Sequence, residues 1–176
     1  MSPANRFSGV TPSWNEIEDF CAAAKNGNDT SVGRLIDLHG AAIIDAKDSR
    51  GDTALTWAAW GGYTGTVALL LERGAGIDVK GVNGKTALAW AAEGGKQEVV
   101  SLLLKKGASV EVKDDNGDTP IKLAKNRGHT VIVAEMEEFT QAKKEQAARR
   151  KLEEDGRALA AARLEKLKKT RPPKIR

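Results

Sequence analysis

The sequence predicts an all-α repeat protein: a solenoid of stacked units, each a hairpin turn and a helix pair, followed by a long charged C-terminal helix. Three observations carry this. The segments GDTALTWAAWGG, GKTALAWAAEGG and GDTPIKLAKNRG begin at Gly51, Gly84 and Gly117, 33 residues apart each time, and self-similarity at such a period sets the architecture before any local feature does. The apolar runs that follow also keep step, with Val67, Val100 and Val133 in one register and Leu70, Leu103 and Met136 in another. After residue 139 the repeats stop and the charge changes sign: residues 140–176 hold 13 Lys/Arg against 5 Asp/Glu, a balance of +8, whereas the preceding residues hold 15 against 19, a balance of −4.

The elements follow in order. A degenerate first unit fits AAKNGN at residues 23–28, with Val32, Leu35 and Ile36 after it and a longer loop before the next unit. In the later units Gly51, Asn83-Gly84 and Asn116-Gly117 are expected to supply the positive backbone angles of a tight hairpin turn. Thr53, Thr86 and Thr119 are placed to cap a short first helix, and Ala58-Ala59 and Ala91-Ala92 would let neighbouring helices approach closely. Gly62, Gly95 and Gly128 then end that helix in the left-handed conformation, and a Val-x-x-Leu-Leu pattern builds the second helix on an apolar stripe. In the last unit Lys125, Glu135 and Glu137 replace apolar residues, as the polar outer face of a terminal repeat requires. Beyond it, residues 141–169 are rich in helix formers, with Glu145 and Arg149, Glu153 and Arg157, and Glu165 and Lys169 in the favourable i, i+4 order; Gly156 is the weak point, where a bend or fray is expected.

A 33-residue unit of hairpin and two helices, carrying T-x-L/I-x-x-A and then Gly74-Ala75 or Gly107-Ala108, resembles the ankyrin repeat. The resemblance covers residues 14–139, as repeats at about 14–47, 48–80, 81–113 and 114–139, between an arm at 1–13 and a charged helix at 140–170 that ends in a basic tail at 171–176. The sequence departs from the family's Thr-Pro-Leu-His tetrapeptide: Thr53-Ala54-Leu55-Thr56 and Thr86-Ala87-Leu88-Ala89 lack proline and histidine, and Thr119-Pro120-Ile121-Lys122 lacks the histidine. The resemblance implies a non-catalytic adaptor or scaffold that binds a protein partner through its concave face. Along that face, hairpin tips and first-helix ends correspond to Arg50, Asp52, Trp60, Lys80, Asn83 and Lys85 in the second and third units. In the third and fourth they correspond to Glu93, Lys113, Asn116, Asp118 and Asn126, with Trp60 as the apolar anchor.

Two of the four tryptophans, Trp57 and Trp60, stand three residues apart, and the register separates them. Down the column of Trp57 stand Ala22, Trp57, Trp90 and Leu123, all apolar and expected in the core. Down the column of Trp60 stand Lys25, Trp60, Glu93 and Asn126, expected to face water. An exposed tryptophan there is an interface anchor, a cover for its own repeat's backbone, or a ring packed on Tyr63.

Composition excludes several classes. At 40% hydrophobic and 30% charged residues, the chain suits one elongated domain with charged additions. The first twenty residues hold no apolar stretch of signal-peptide length, and no run is long enough to span a membrane. The single Cys21 falls in the apolar first helix and is expected to be a buried thiol in a reducing, cytoplasmic setting, with cytoskeletal and nuclear sites also open. With only His39, His129 and Cys21, neither a zinc site nor a nucleophile pair assembles, so no enzyme activity, metal or cofactor is expected. Asp48, Asp52, Asp114, Asp115 and Asp118 recur at turns, where aspartate bonds its own backbone, and GVNGKT at residues 81–86 lacks the spacing of a phosphate-binding loop. The tail leaves more open. Leu152 and Leu159, with Ala160, Leu164 and Leu167, suit a solvated helix, a short coiled coil or a docked helix. Its basic end suits an acidic protein surface, a filament, an anionic lipid surface or nucleic acid, so a tether acting through the tail, or an effector or enzyme accessory subunit, are the rival functions.

Overall fold

The computed structural model describes residues 11 to 169, with side chains to residue 165. The N-terminal arm before residue 11 and the basic tail at 171–176 lie outside the described residues. The helices are α1 (Trp14–Lys25), α2 (Asp29–His39), α3 (Ala41–Ile44), α4 (Ala54–Gly61), α5 (Thr64–Glu72), α6 (Ala87–Glu93), α7 (Gln97–Lys105), α8 (Pro120–Arg127) and α9 (Thr130–Lys169). No helix among the described residues is long and apolar enough to cross a membrane.

Each first helix starts where its cap demands. The side chains of Thr53, Thr86 and Thr119 accept from the backbone N–H of Thr56, Ala89 and Lys122, and Ser13 and Glu16 close a reciprocal capping box on α1. Gly62, Gly95 and Gly128 all take positive φ where the first helices end. The first helices α1, α4, α6 and α8 then pack one on the next, and α2, α5 and α7 form the second layer. Alanine makes the first layer thin: Ala24, Ala58, Ala59, Ala91, Ala92 and Ala124 are all fully buried. Larger side chains fill the space between layers, with Phe20, Leu55 and Leu88 from the first helices and Val32, Val67, Val100, Leu70, Leu103 and Met136 from the second. The longer loop after the first unit folds as α3, which buries Ile43 and Ile44.

Polar contacts tie successive units, and two of them, at Asp45 and Asp78, repeat with the 33-residue period. The backbone N–H of Ser49, Gly76 and Ser109 donates to the carboxylates of Glu18, Asp45 and Asp78 at 2.7, 2.9 and 3.0 Å, always 31 residues back along the chain. In each case an acid of one unit accepts from the backbone of the next.

The hairpins depart from expectation. In the second and fourth units Asp48 and Asp114 each accept two backbone N–H groups, from Arg50 and Asp52 and from Asn116 and Asp118. Gly117 supplies the positive φ there and Asn116 does not; Asn83 is the one non-glycine with positive φ among the described residues. In the third unit Gly81 stands where those aspartates stand, and Val82–Gly84 forms a 3₁₀ turn instead. Nothing on Gly81 can hold the turn, and a Cβ there would come within 2.2 Å of Asp52 Oδ1, which accepts from Val82 N–H at 3.1 Å. The neighbouring unit supplies the missing acceptor.

The polar face of the last unit is divided differently from its sequence reading. Lys125 and Glu137 are exposed and paired at 2.7 Å, but Glu135 turns back toward α7 and accepts from the Ser101 hydroxyl. The Ser101 hydroxyl offers a donor on α7, and the carboxylate goes there. From Glu138 the chain forms a separate unit. Its helix runs through Gly156 without interruption, so the expected bend is absent. Every residue from 141 to 165 is exposed, including Leu152, Leu159 and Leu164. The i, i+4 ion pair that forms is Arg149 with Glu153 at 3.5 Å, while Gln141 donates to Glu145. The expected Glu145–Arg149 and Glu153–Arg157 pairs do not close, as befits long side chains that lose entropy for little Coulomb gain in water.

Candidate functional site

Helices α4 and α6 carry the three tryptophans of the repeat segments, Trp57, Trp60 and Trp90. Trp57 and Trp90 are half-buried, which corrects their assignment to the core. The alanine-thin helix layer leaves no slot for an indole, and an indole N–H needs an acceptor. Trp57 Nε1 donates to Asp48 Oδ2 at 2.7 Å, which draws the ring toward the hairpin and out of the interhelix space. Trp60 is 46% exposed, as its column suggested. It does not pack on Tyr63, whose ring lies instead against Gly27 and Gly61. Trp60 meets Trp57 edge to face, with centroids 5.9 Å apart and planes at 87°.

These rings enclose a hollow of about 430 Å³, lined by Trp57, Trp60 and Trp90, by Thr56 and Val82, and by Asp52, Lys25 and Arg50. Lys25 Nζ lies 4.6 Å from the Trp57 centroid, and Arg50 Cζ lies 5.6 Å from it. A second hollow of about 280 Å³ shares Trp60 and Trp90 and continues to Glu93, Gly94 and Arg127. The groove therefore draws on all four units, from Lys25 in the first to Arg127 in the last.

Asp52 is 4% exposed, so it is a buried strut rather than a free groove residue. Burial raises its carboxyl above the ordinary aspartate value, and the Val82 N–H and Thr56 hydroxyl pull against that rise. Glu93 and Lys85 also depart from the water-facing expectation. Lys85 Nζ lies 2.5 Å from Glu93 Oε2 and 4.4 Å from the Trp90 centroid, and Arg127 reaches Glu93 Oε1 at 2.7 Å. Burial pushes the Glu93 carboxyl up, but Lys85 and Arg127 outweigh it and hold the pKa below the ordinary value. The position that is an open tryptophan in one unit is a clamp in the next, because Lys85 replaces Asp52 in register and requires an anion.

The remaining sequence-derived residues lie along the hairpins. Lys80 is exposed and donates to the Lys113 carbonyl at 2.8 Å, and Lys113 is exposed beside it. Asn83 is exposed, and its carbonyl accepts from Asp115 N–H at 3.0 Å. Asp118 pairs with Lys122, while Asn116 and Asn126 are exposed. Sequence reasoning left out Lys25, Thr56, Val82 and Arg127, which the fold brings to the groove. Lys25 was legible, since it occupies the Trp60 register one unit earlier; Val82 and Thr56 carry no such signal. Cys21 is buried, with its thiol pushed up to about 12 by desolvation and by the Asp48 carboxylate, which makes it inert as a nucleophile at neutral pH.

The family model described as ankyrin repeats (3 copies) matches residues 20–114 and again 76–143. No curated protein matches the chain. Ankyrin repeats generally mediate protein–protein interaction, and proteins built from them are typically non-catalytic modules. With its 33-residue period, its hairpin and paired helices, and most of its length covered by that match, the chain belongs to the ankyrin-repeat family.

Proposed function

We propose that the protein is an adaptor that binds a protein partner through the groove lined by Trp57, Trp60 and Trp90, with Trp60 as the anchor, and that its basic helix makes a second contact within an assembly. The observation that carries this reading is Trp60 itself, a large apolar ring 46% exposed at a concave hollow. Tryptophan is the residue type most enriched among interface hot spots, which cluster in such pockets. Inside the hollow Asp52 is hydrogen-bonded within the protein, and Lys25 and Arg50 stand against the Trp57 ring. A cytoplasmic setting suits the single buried thiol.

Recovery of partners by the tagged full chain, by Trp60→Ala and by residues 1–139 tests the proposal. Trp60→Ala should weaken binding by about 2 kcal/mol, whereas the shortened chain should keep most of it. Binding that ignores Trp60 but disappears with residues 140–176, and falls steeply with added salt as counterion release requires, would make the tail a tether and the repeats secondary.

A further inference from the structure

Resting on that reading, we infer that the groove's occupant is an acidic segment of the partner that carries one bulky apolar side chain. The side chain enters the tryptophan hollow, and the flanking carboxylates pair with Lys25 and Arg50.

The hollow's size fits the first half of this. About 430 Å³ lies at the small end of the range for ligand pockets, enough for one large side chain rather than a folded element. Apart from Lys25 and Arg50, its walls are apolar in effect, because its other polar groups are already used. Asp52 Oδ1 accepts from Val82 N–H at 3.1 Å and from the Thr56 hydroxyl at 3.2 Å, and the Trp57 N–H is held by Asp48.

The charge at the mouth fits the second half. Among the described residues neither Lys25 nor Arg50 has an ion-pair partner, whereas Lys85 and Arg127 farther along the groove are both fixed on Glu93. Lys47, Lys80 and Lys113 add a row of exposed cations at one register of three successive hairpins, 33 residues apart. On the same edge Asp48, Asp52 and Asp114 are buried, Asp118 is held by Lys122, and Glu18 beside Lys25 and Arg50 is engaged by Ser49 N–H, while Asp115 is exposed, as are Asp45 and Glu111 near the lysine row. A cationic guest is disfavoured: Lys25 and Arg50 already lie against the Trp57 ring and would repel it.

The test is selection from a random-peptide display library on the immobilised full chain, with binders to Trp60→Ala removed. That variant keeps the basic tail, so peptides held by the tail alone are discarded, and circular dichroism checks its fold. The recovered peptides should be net negative with one Phe, Trp or Leu flanked by Asp or Glu. Titrated singly, the best of them should bind at least about tenfold more weakly to Lys25→Glu and to Arg50→Glu, and more weakly as salt rises. Neutral or basic peptides, or affinity that survives both charge reversals, would overturn the acidic assignment and leave the protein-binding reading intact. Failure to recover any peptide that distinguishes the wild type from Trp60→Ala counts against the inference, and together with Trp60-independent partner recovery it removes the parent reading as well. A short oligo-dT probe that bound in a Trp60-dependent manner in place of the peptides would assign the hollow to base stacking instead.

Discussion

Trp57 and Trp60 are separated by what their N–H groups and faces find. Trp57→Phe keeps most of the ring but removes the donor to Asp48 Oδ2. It should cost about 1 to 3 kcal/mol of unfolding free energy, the usual penalty for a partly buried polar group left short of a partner. Trp60→Ala should stay within about 1 kcal/mol, since that ring is half in water and loses one edge-to-face contact. Matched denaturant curves for the two variants measure the difference. Glu93 makes a prediction in pH. Its pKa in the folded protein is depressed, so its ion pairs contribute stability above the ordinary glutamate value of 4.5 that is lost as pH falls through the folded pKa. Glu93→Gln should therefore be less stable than wild type at neutral pH, and the gap should close in acid. Thermal melts of both proteins from neutral pH down to about pH 3 check the sign. Asp52 titrates in the opposite sense, being raised, which is why the comparison with Glu93→Gln is needed to isolate one group. The exposure of Trp60 was legible from its column because exposure is a property of the helix face. The half-burial of Trp57 was not, since it depends on an aspartate nine residues earlier that only the hairpin brings near.

Local chemistry decided the helix ends, and these were legible. A threonine oxygen reaches an N–H three residues on whatever surrounds it, and a glycine with positive φ ends a helix by itself. The third hairpin was not legible, because its acceptor is Asp52, thirty residues upstream in another unit. Glu135 shows the same limit: the sequence marks it as polar, but only α7 places Ser101 against it. Where each helix is its own support, simple propensity should hold. Nothing lies within 4 Å of a Cβ built on Gly156, so Gly156→Ala should stabilise that stretch of helix by about 1 kcal/mol, read as increased ellipticity at high temperature. The last repeat already carries its own polar face in Lys125 and Glu137. A chain ending at residue 139 should accordingly melt in one cooperative step within about 3 °C of the full protein. A broad or much lower transition would show that residues beyond 139 stabilise the repeats.

At the scale of the whole chain, a small net charge conceals two opposed parts, −4 before residue 140 and +8 from there on. The period was legible because it is written into the order of residues, whereas the groove's composition is a sum over four units that no single unit displays. The carboxylates of Glu18, Asp45 and Asp78, each receiving an N–H 31 residues later, have a mechanical consequence. These joints link the first unit to the second and the second to the third, and the first helices pack one on the next, so tension applied along the repeats meets one interface after another. A unit that let go would pay out its 33 residues, about 110 Å of extended chain, while its neighbours stayed folded. Pulled from its two ends, the repeat region would yield in steps.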